Sequence, residues 1–203
     1  MKLQETEKNQ EDKNIVWHEG DINYQDRCKN LGQQGKVVWL TGLSGSGKST
    51  IAVEVEKELL KRGKAVYRLD GDNIRHGLNS DLGFSAEDRD ENIRRIAEVA
   101  ALFRDAGMIV LASFISPYQK MRDFARERAE GDFIEVYVKA DVETCASRDP
   151  KGLYEKAKKG EIENFTGVSA PYEEPEDPEV VIDTAELSVE ESVKKVLNTI
   201  VKN

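Results

Sequence analysis

The sequence predicts an α/β fold built on a mostly parallel, five-stranded sheet with helices on both faces. Three observations predict it. Five short runs rich in Val, Ile and aromatic residues, suited to buried strands, are spaced along the chain. Segments between and after them carry apolar residues at helical spacing. A glycine-rich loop joins the first strand candidate to the first long helix, as in a strand–loop–helix unit. At 203 residues the chain is long enough for one domain with a substantial core.

Taken in order, residues 1–14 are polar and mixed in charge and are expected to form a disordered arm. Ile15, Val16 and Trp17 then bring apolar weight, and 22–31 reads as a short helix before Gly32, so 15–35 forms an N-terminal segment. Residues 36–203 form the main domain. Its first strand spans 36–41, and a helix over 51–62 stops at Gly63. Further strands are expected over 65–69, 108–114, 133–140 and 180–182. Ile93, Ile96, Ala97, Ala100, Leu102 and Phe103 mark one helical face ending at Gly107. Val189, Val193, Val196, Leu197, Ile200 and Val201 mark the last. Residues 160–175 break the cadence, with Gly160, Gly167, Pro171 and Pro175 among polar residues and Lys156, Lys158 and Lys159 just before. A long irregular stretch is usually functional, and a mobile lid over about 156–175 is the expectation.

The net charge of −9 and the absence of a basic stripe exclude general nucleic-acid binding. No apolar run approaches the ~20 residues of a membrane span, and the N-terminus has no signal-peptide core. Cys28 and Cys145 form no metal-ligand spacing and suit a reducing compartment. A soluble, cytoplasmic protein is expected.

The chemistry begins at Gly42-Leu43-Ser44-Gly45-Ser46-Gly47-Lys48-Ser49-Thr50, which satisfies G-x-x-x-x-G-K-[ST] between a strand and a helix. The glycines let backbone N–H groups turn toward phosphate oxygens, and the helix N-terminus adds partial positive charge. Lys48 can bridge β- and γ-phosphates, and the Ser49 hydroxyl can ligate Mg²⁺. The fold expected is therefore that of a P-loop NTPase, whose loop holds the phosphates of a nucleotide.

Three further segments concern the acceptor. Asp70, Asp72 and Arg75 follow the second strand, where an open α/β sheet has its ligand crevice. The two carboxylates can orient a hydroxyl or anchor Mg²⁺, and the residues leave that division of roles open. At 82–95, Ser85 with Asp88 resembles a capping box that opens the long helix. Phe84 can stack on a base, Arg89 can hold an anion bidentately, and Asn92 shares its helical face. Finally, Phe114-Ile115-Ser116-Pro117-Tyr118 follows the third strand without the Asp that many P-loop proteins carry there. That absence disfavours a mechanical ATPase, and no Asn-Lys-x-Asp motif supports a GTPase. His18 and His76 follow no metal-ligand spacing.

In this order and spacing the chain resembles the adenylyl-sulfate kinase family. The resemblance covers GLSGSGKST at 42–50, DGDNIRHGLN at 70–79, LGFS at 82–85 and R-x-E-N-I-R-R at 89–95. It continues through FISP at 114–117, DPKGLY at 149–154, FTG at 165–167 and A-P-Y-E-x-P at 170–175. It implies transfer of the ATP γ-phosphate to the 3′-hydroxyl of adenosine 5′-phosphosulfate, with Mg²⁺. Asp70 would orient or deprotonate the hydroxyl, and Asp72 would help place the acceptor or the metal with Ser49. Arg75, Arg89 and Asn92 would hold the phosphosulfate, while Phe84 and Phe165 would sandwich its adenine. Ile115, Ser116, Lys151 and Leu153 would complete the acceptor pocket, and Arg148 would lie near the ATP adenine. Ser116 matches the position assigned a phosphoserine intermediate in the family. The resemblance also suggests a homodimer and, as a separate chain, a sulfate adenylyltransferase partner. The alternatives from the residues alone are a P-loop kinase of another small acceptor or a non-catalytic nucleotide-binding module.

Overall fold

The computed structural model describes Val16, His18, residues 20–149 and residues 151–202. The expected arm at 1–14 lies outside the described residues, as do Ile15 and Trp17. The described elements run α1 (Tyr24–Leu31), β1 (Lys36–Thr41), α2 (Lys48–Lys61), β2 (Val66–Asp70), α3 (Gly71–Ile74), α4 (Ala86–Asp105) and β3 (Ile109–Ser113). They continue with α5 (Gln119–Arg128), β4 (Phe133–Lys139), α6 (Val142–Arg148), α7 (Leu153–Lys158), β5 (Val180–Asp183) and α8 (Val189–Lys202).

The five strands form one sheet in the order β2-β3-β1-β4-β5, and every pairing is parallel. All six residues of β1 are buried, which explains the apolar run Val37–Leu40 between Lys36 and Thr41: a central parallel strand is covered on both faces. Alternate residues serve opposite layers. Val38 and Leu40 pack with Ile51, Val55 and Leu59 of α2 and with Val193, Val196, Leu197 and Ile200 of α8. Val37 and Trp39 pack with Ile93, Ile96, Ala97 and Ala100 of α4 and with Met121 and Ala125 of α5.

The helical stripes hold with exceptions at their edges. Leu102 is 70% exposed because it falls two residues past Ala100, off the i, i+3, i+4 row that faces the sheet. Val189 and Val201, at the ends of α8, are exposed as well. Ser85 accepts the Asp88 N–H and caps α4, whereas the reciprocal box forms at α1, between Asn23 and Asp26.

The N-terminal segment sits at the amino ends of the strands, opposite the crevice. Tyr24 Oη donates to the Gly35 carbonyl and to Asp132, Gln33 bridges Ala65 and Gly107, and Arg27 pairs with Asp105. The stretch expected to be a lid, about 156–175, begins inside the last turn of α7. Beyond it Phe165 and Thr166 are buried, and Phe165 joins a small core with Leu43, Cys145, Tyr154 and Ala157. No helix among the described residues is long and apolar enough to cross a membrane.

Candidate active site

A crevice of about 1280 Å³ opens at the carboxyl ends of the strands. Sheet order brings its two halves together. Asp70 at the end of β2 is in register with Ser113 of β3, and Ser113 with Leu40 of β1. Neighbouring strands lie ~4.8 Å apart, so the carboxylate strand and the P-loop strand stand about 10 Å apart across β3. Residues distant in sequence therefore face one another across a ligand-sized gap.

On the donor side, the loop depends on its glycines. Gly42 has a φ of 147°, and a Cβ there would meet the Val138 carbonyl oxygen at 2.3 Å. Gly47, with a φ of 105°, precedes α2 and provides no side-chain cap. The first N–H groups of α2 thus remain available to an anion. Lys48 is buried, and its Nζ donates to the carbonyls of Gly42 at 3.0 Å and Leu43 at 2.7 Å. Burial lowers its pKa from the ordinary 10.5 to about 8. The Ser49 and Ser113 hydroxyls are 3.4 Å apart, which ties the start of α2 to the end of β3. Ser44 accepts from the Tyr154 hydroxyl, and Ser46 from Thr184. Arg148 donates to both the hydroxyl and the carbonyl of Thr184, which follows β5.

On the facing side, Asp70 is only 8% exposed. One carboxylate oxygen accepts the Asp72 N–H, capping α3, and the other lies 3.2 Å from the Arg68 guanidinium. Asp72 is exposed and pairs across the crevice with Lys151. Arg75 donates to the Leu82 and Gly83 carbonyls, and its guanidinium lies 4.4 Å from the Phe84 ring centroid. Burial, then the nearby Arg89 charge, lowers the Arg75 pKa. An anion between these guanidiniums would relieve that repulsion. Arg89 spans the crevice to the Asn164 carbonyl and the Thr166 hydroxyl. Asn92 is buried and accepts from the Asn79 amide at 2.9 Å.

Phe84 and Phe165 both line the crevice but have separate partners. Phe84 is 66% exposed beneath Arg75, whereas Phe165 packs edge-on against Tyr154 with centroids 4.9 Å apart. Leu153 and Ile115 also line the site. Ser116 is 1% exposed, and its Oγ accepts the Trp39 indole N–H at 3.0 Å. Arg68 and Thr184 were not expected from sequence. Arg68 lies two residues before Asp70 on one strand, so period-two alternation puts both on one face. Thr184 follows the last strand, and position past a carboxyl end was its one available signal.

Six cationic side chains (Lys48, Arg68, Arg75, Arg89, Arg148 and Lys151) line this crevice in a chain of net charge −9, which suits polyanionic reactants. Among the described residues no group of three or more His, Cys, Asp or Glu side chains could hold a metal. The Ser49 hydroxyl and the Asp70 and Asp72 carboxylates are hard oxygen donors. They fit Mg²⁺ bound through one or two protein groups together with substrate phosphates.

A P-loop facing a buried carboxylate and an arginine cluster, on a parallel sheet of this order, defines the class: a P-loop kinase. Within that class the chain belongs to the adenylylsulphate kinase family, whose model matches residues 34–183. It is 59% identical over 185 residues to the adenylyl-sulfate kinase of Staphylococcus carnosus strain TM300, covering 91% of this chain and 93% of that protein. The adenylyl-sulfate kinase of Geotalea uraniireducens strain Rf4 is 60% identical over 185 residues, 91% of this chain and 89% of its own. The Mycobacterium tuberculosis APS kinase CysC, solved in complex with AMPPNP and APS, superposes with a TM-score of 0.80 at 47% identity. That match covers 84% of this chain and 99% of the other.

Proposed function

We propose that this chain transfers the γ-phosphate of ATP to the 3′-hydroxyl of adenosine 5′-phosphosulfate, giving 3′-phosphoadenylyl sulfate and ADP. The observation that carries the reading is the register of Asp70 opposite the P-loop, with one strand between them. Asp70 orients the 3′-hydroxyl and takes its proton as the new P–O bond forms. The bond from the γ-phosphorus to the β,γ-bridging oxygen breaks in line with it, and ADP leaves. Such transfer relies on positioning and electrostatics more than on covalent catalysis.

Residues 42–50 hold the triphosphate, and Lys48 neutralises its charge. Arg148, anchored by Thr184, lies on the adenine side of the donor. Arg75 and Arg89 hold the phosphosulfate, and Asn92 and Lys151 complete the acceptor pocket with the Phe84 ring. Ser49 and Asp72, with Asp70 beside them, would hold Mg²⁺, which when bound offsets charge on the transferring phosphate. Arg89 exchanges its bonds to Asn164 and Thr166 for the acceptor, and the lid at about 156–175 closes to exclude water. A homodimer in the cytoplasm is the setting we infer, and light scattering on the purified protein tests the assembly.

A positioned general base is worth roughly 10²–10⁴ in rate. Asp70→Ala is therefore expected to lower kcat at least a hundredfold while ATP binding persists. Near-normal turnover of that variant would remove the base assignment.

A further inference from the structure

The loop after β3 that lines the crevice is held by groups lying outside the crevice. Ser116 has a φ of 40°, a left-handed conformation that residues with a Cβ rarely adopt. Such outliers persist where surrounding structure over-determines them. Here the Trp39 indole N–H donates to Ser116 Oγ at 3.0 Å, and Arg122 Nη1 donates to the Ser116 carbonyl at 2.9 Å. The preceding carbonyl, of Ile115, accepts from the Thr41 hydroxyl at 2.6 Å.

These supports are themselves fixed. Trp39 is fully buried, stacked between Phe114 and Phe133 with centroids 5.8 and 6.1 Å away. Arg122 is 1% exposed and pairs with buried Glu135 at 2.8 Å. Neither Trp39 nor Arg122 lines the crevice. A buried ion pair is weak evidence of stabilisation, since apolar residues of similar volume often serve as well. Both polar supports nevertheless converge on one strained loop residue, and that residue borders the acceptor pocket.

We propose that Trp39 and Arg122 are positioning residues for phosphoryl transfer, holding Ser116 left-handed so that the Ile115–Ser116 backbone meets the acceptor. The inference rests on the kinase activity proposed above. It gives Ser116 a conformational role rather than that of a phosphate carrier.

The test is steady-state kinetics with MgATP and adenosine 5′-phosphosulfate, alongside melting temperatures. Wild type is compared with Trp39→Phe, Ser116→Ala, their double variant, Ser116→Gly and Arg122→Lys. Trp39→Phe keeps the ring but loses the N–H. One lost neutral hydrogen bond corresponds to about a fivefold change, so Trp39→Phe and Ser116→Ala are each expected to raise the acceptor KM about that much, with the ATP KM unchanged. The double variant should be no worse than either single variant, because all remove the same bond. Ser116→Gly, free to adopt a positive φ, should lie closer to wild type than Ser116→Ala. Arg122→Lys, which keeps a charge for Glu135 but loses the fork, should also raise the acceptor KM.

Lowered melting temperatures with an unchanged acceptor KM would overturn the inference. So would a parallel rise in both KM values. Equal loss of turnover in Ser116→Gly and Ser116→Ala, with Trp39→Phe active, would overturn it in favour of a phosphoserine carrier. A wild type inactive toward the phosphosulfate would instead overturn the functional reading, and the inference with it.

Discussion

Lys48 makes ATP binding sensitive to pH in a way that can be calculated. Burial holds its pKa near 8, against 10.5 for a lysine in water. Its Nζ faces two loop carbonyls, and no carboxylate of the described residues lies within salt-bridge distance. A triphosphate in the loop would favour the charged form and restore a high pKa, so binding must take up the missing proton fraction. With a free-state pKa of about 8, that uptake is about 0.1 proton at pH 7, about 0.5 at pH 8 and about 0.9 at pH 9. The same linkage weakens ATP binding about tenfold between pH 7 and pH 9. Titration calorimetry with a non-hydrolysable ATP analogue, in buffers of different ionisation enthalpy, reads the uptake directly. Lys48→Met should abolish it and flatten the pH dependence. Buffer-independent heats at pH 8, with affinity constant from pH 7 to 9, would refute the burial argument.

Two further outcomes follow from contrasts in burial. Arg122→Met leaves the Glu135 carboxylate buried without its closest partner. Breaking such a pair costs about 3–5 kcal/mol, measurable by urea denaturation, and Arg122→Met/Glu135→Leu should recover most of it. Phe84 and Phe165 border the same crevice, but only Phe165 is buried. Base–aromatic stacking is worth about 1–3 kcal/mol, so Phe84→Ala is expected to raise the acceptor KM about fivefold or more at unchanged melting temperature. Phe165→Ala should lower the melting temperature as well.

Much of this architecture was legible because burial leaves a strong apolar trace. The first strand lies at 36–41 as its composition implies, and the other four start or end within a residue or two of the expected limits. The P-loop, Asp70, Asp72 and the arginines were legible because chemistry of that kind needs particular residue types at fixed spacing. What escaped notice lacks such a trace. Helices α5, α6 and α7 are short, and α5 buries an arginine on the face that packs against the sheet. Nothing in the sequence marks Arg122 and Glu135 as a pair, since only the fold brings them together. The left-handed Ser116 and its bond to Trp39 are likewise three-dimensional facts. Arg89 is expected from sequence to hold the acceptor, while its bonds to Asn164 and Thr166 arise only because the fold brings those two residues to α4.

Phosphoryl transfer to a 3′-hydroxyl is tested most directly by ADP release with MgATP and three potential acceptors. These are adenosine 5′-phosphosulfate, its 3′-deoxy analogue and AMP. Rapid release with the phosphosulfate and background release with the other two is the expected result, with the product phosphorylated at the 3′ position. Comparable release with AMP would mean that Arg75 and Arg89 do not select the phosphosulfate. Undiminished release with the 3′-deoxy analogue would mean that water, and not the 3′-hydroxyl facing Asp70, receives the phosphate.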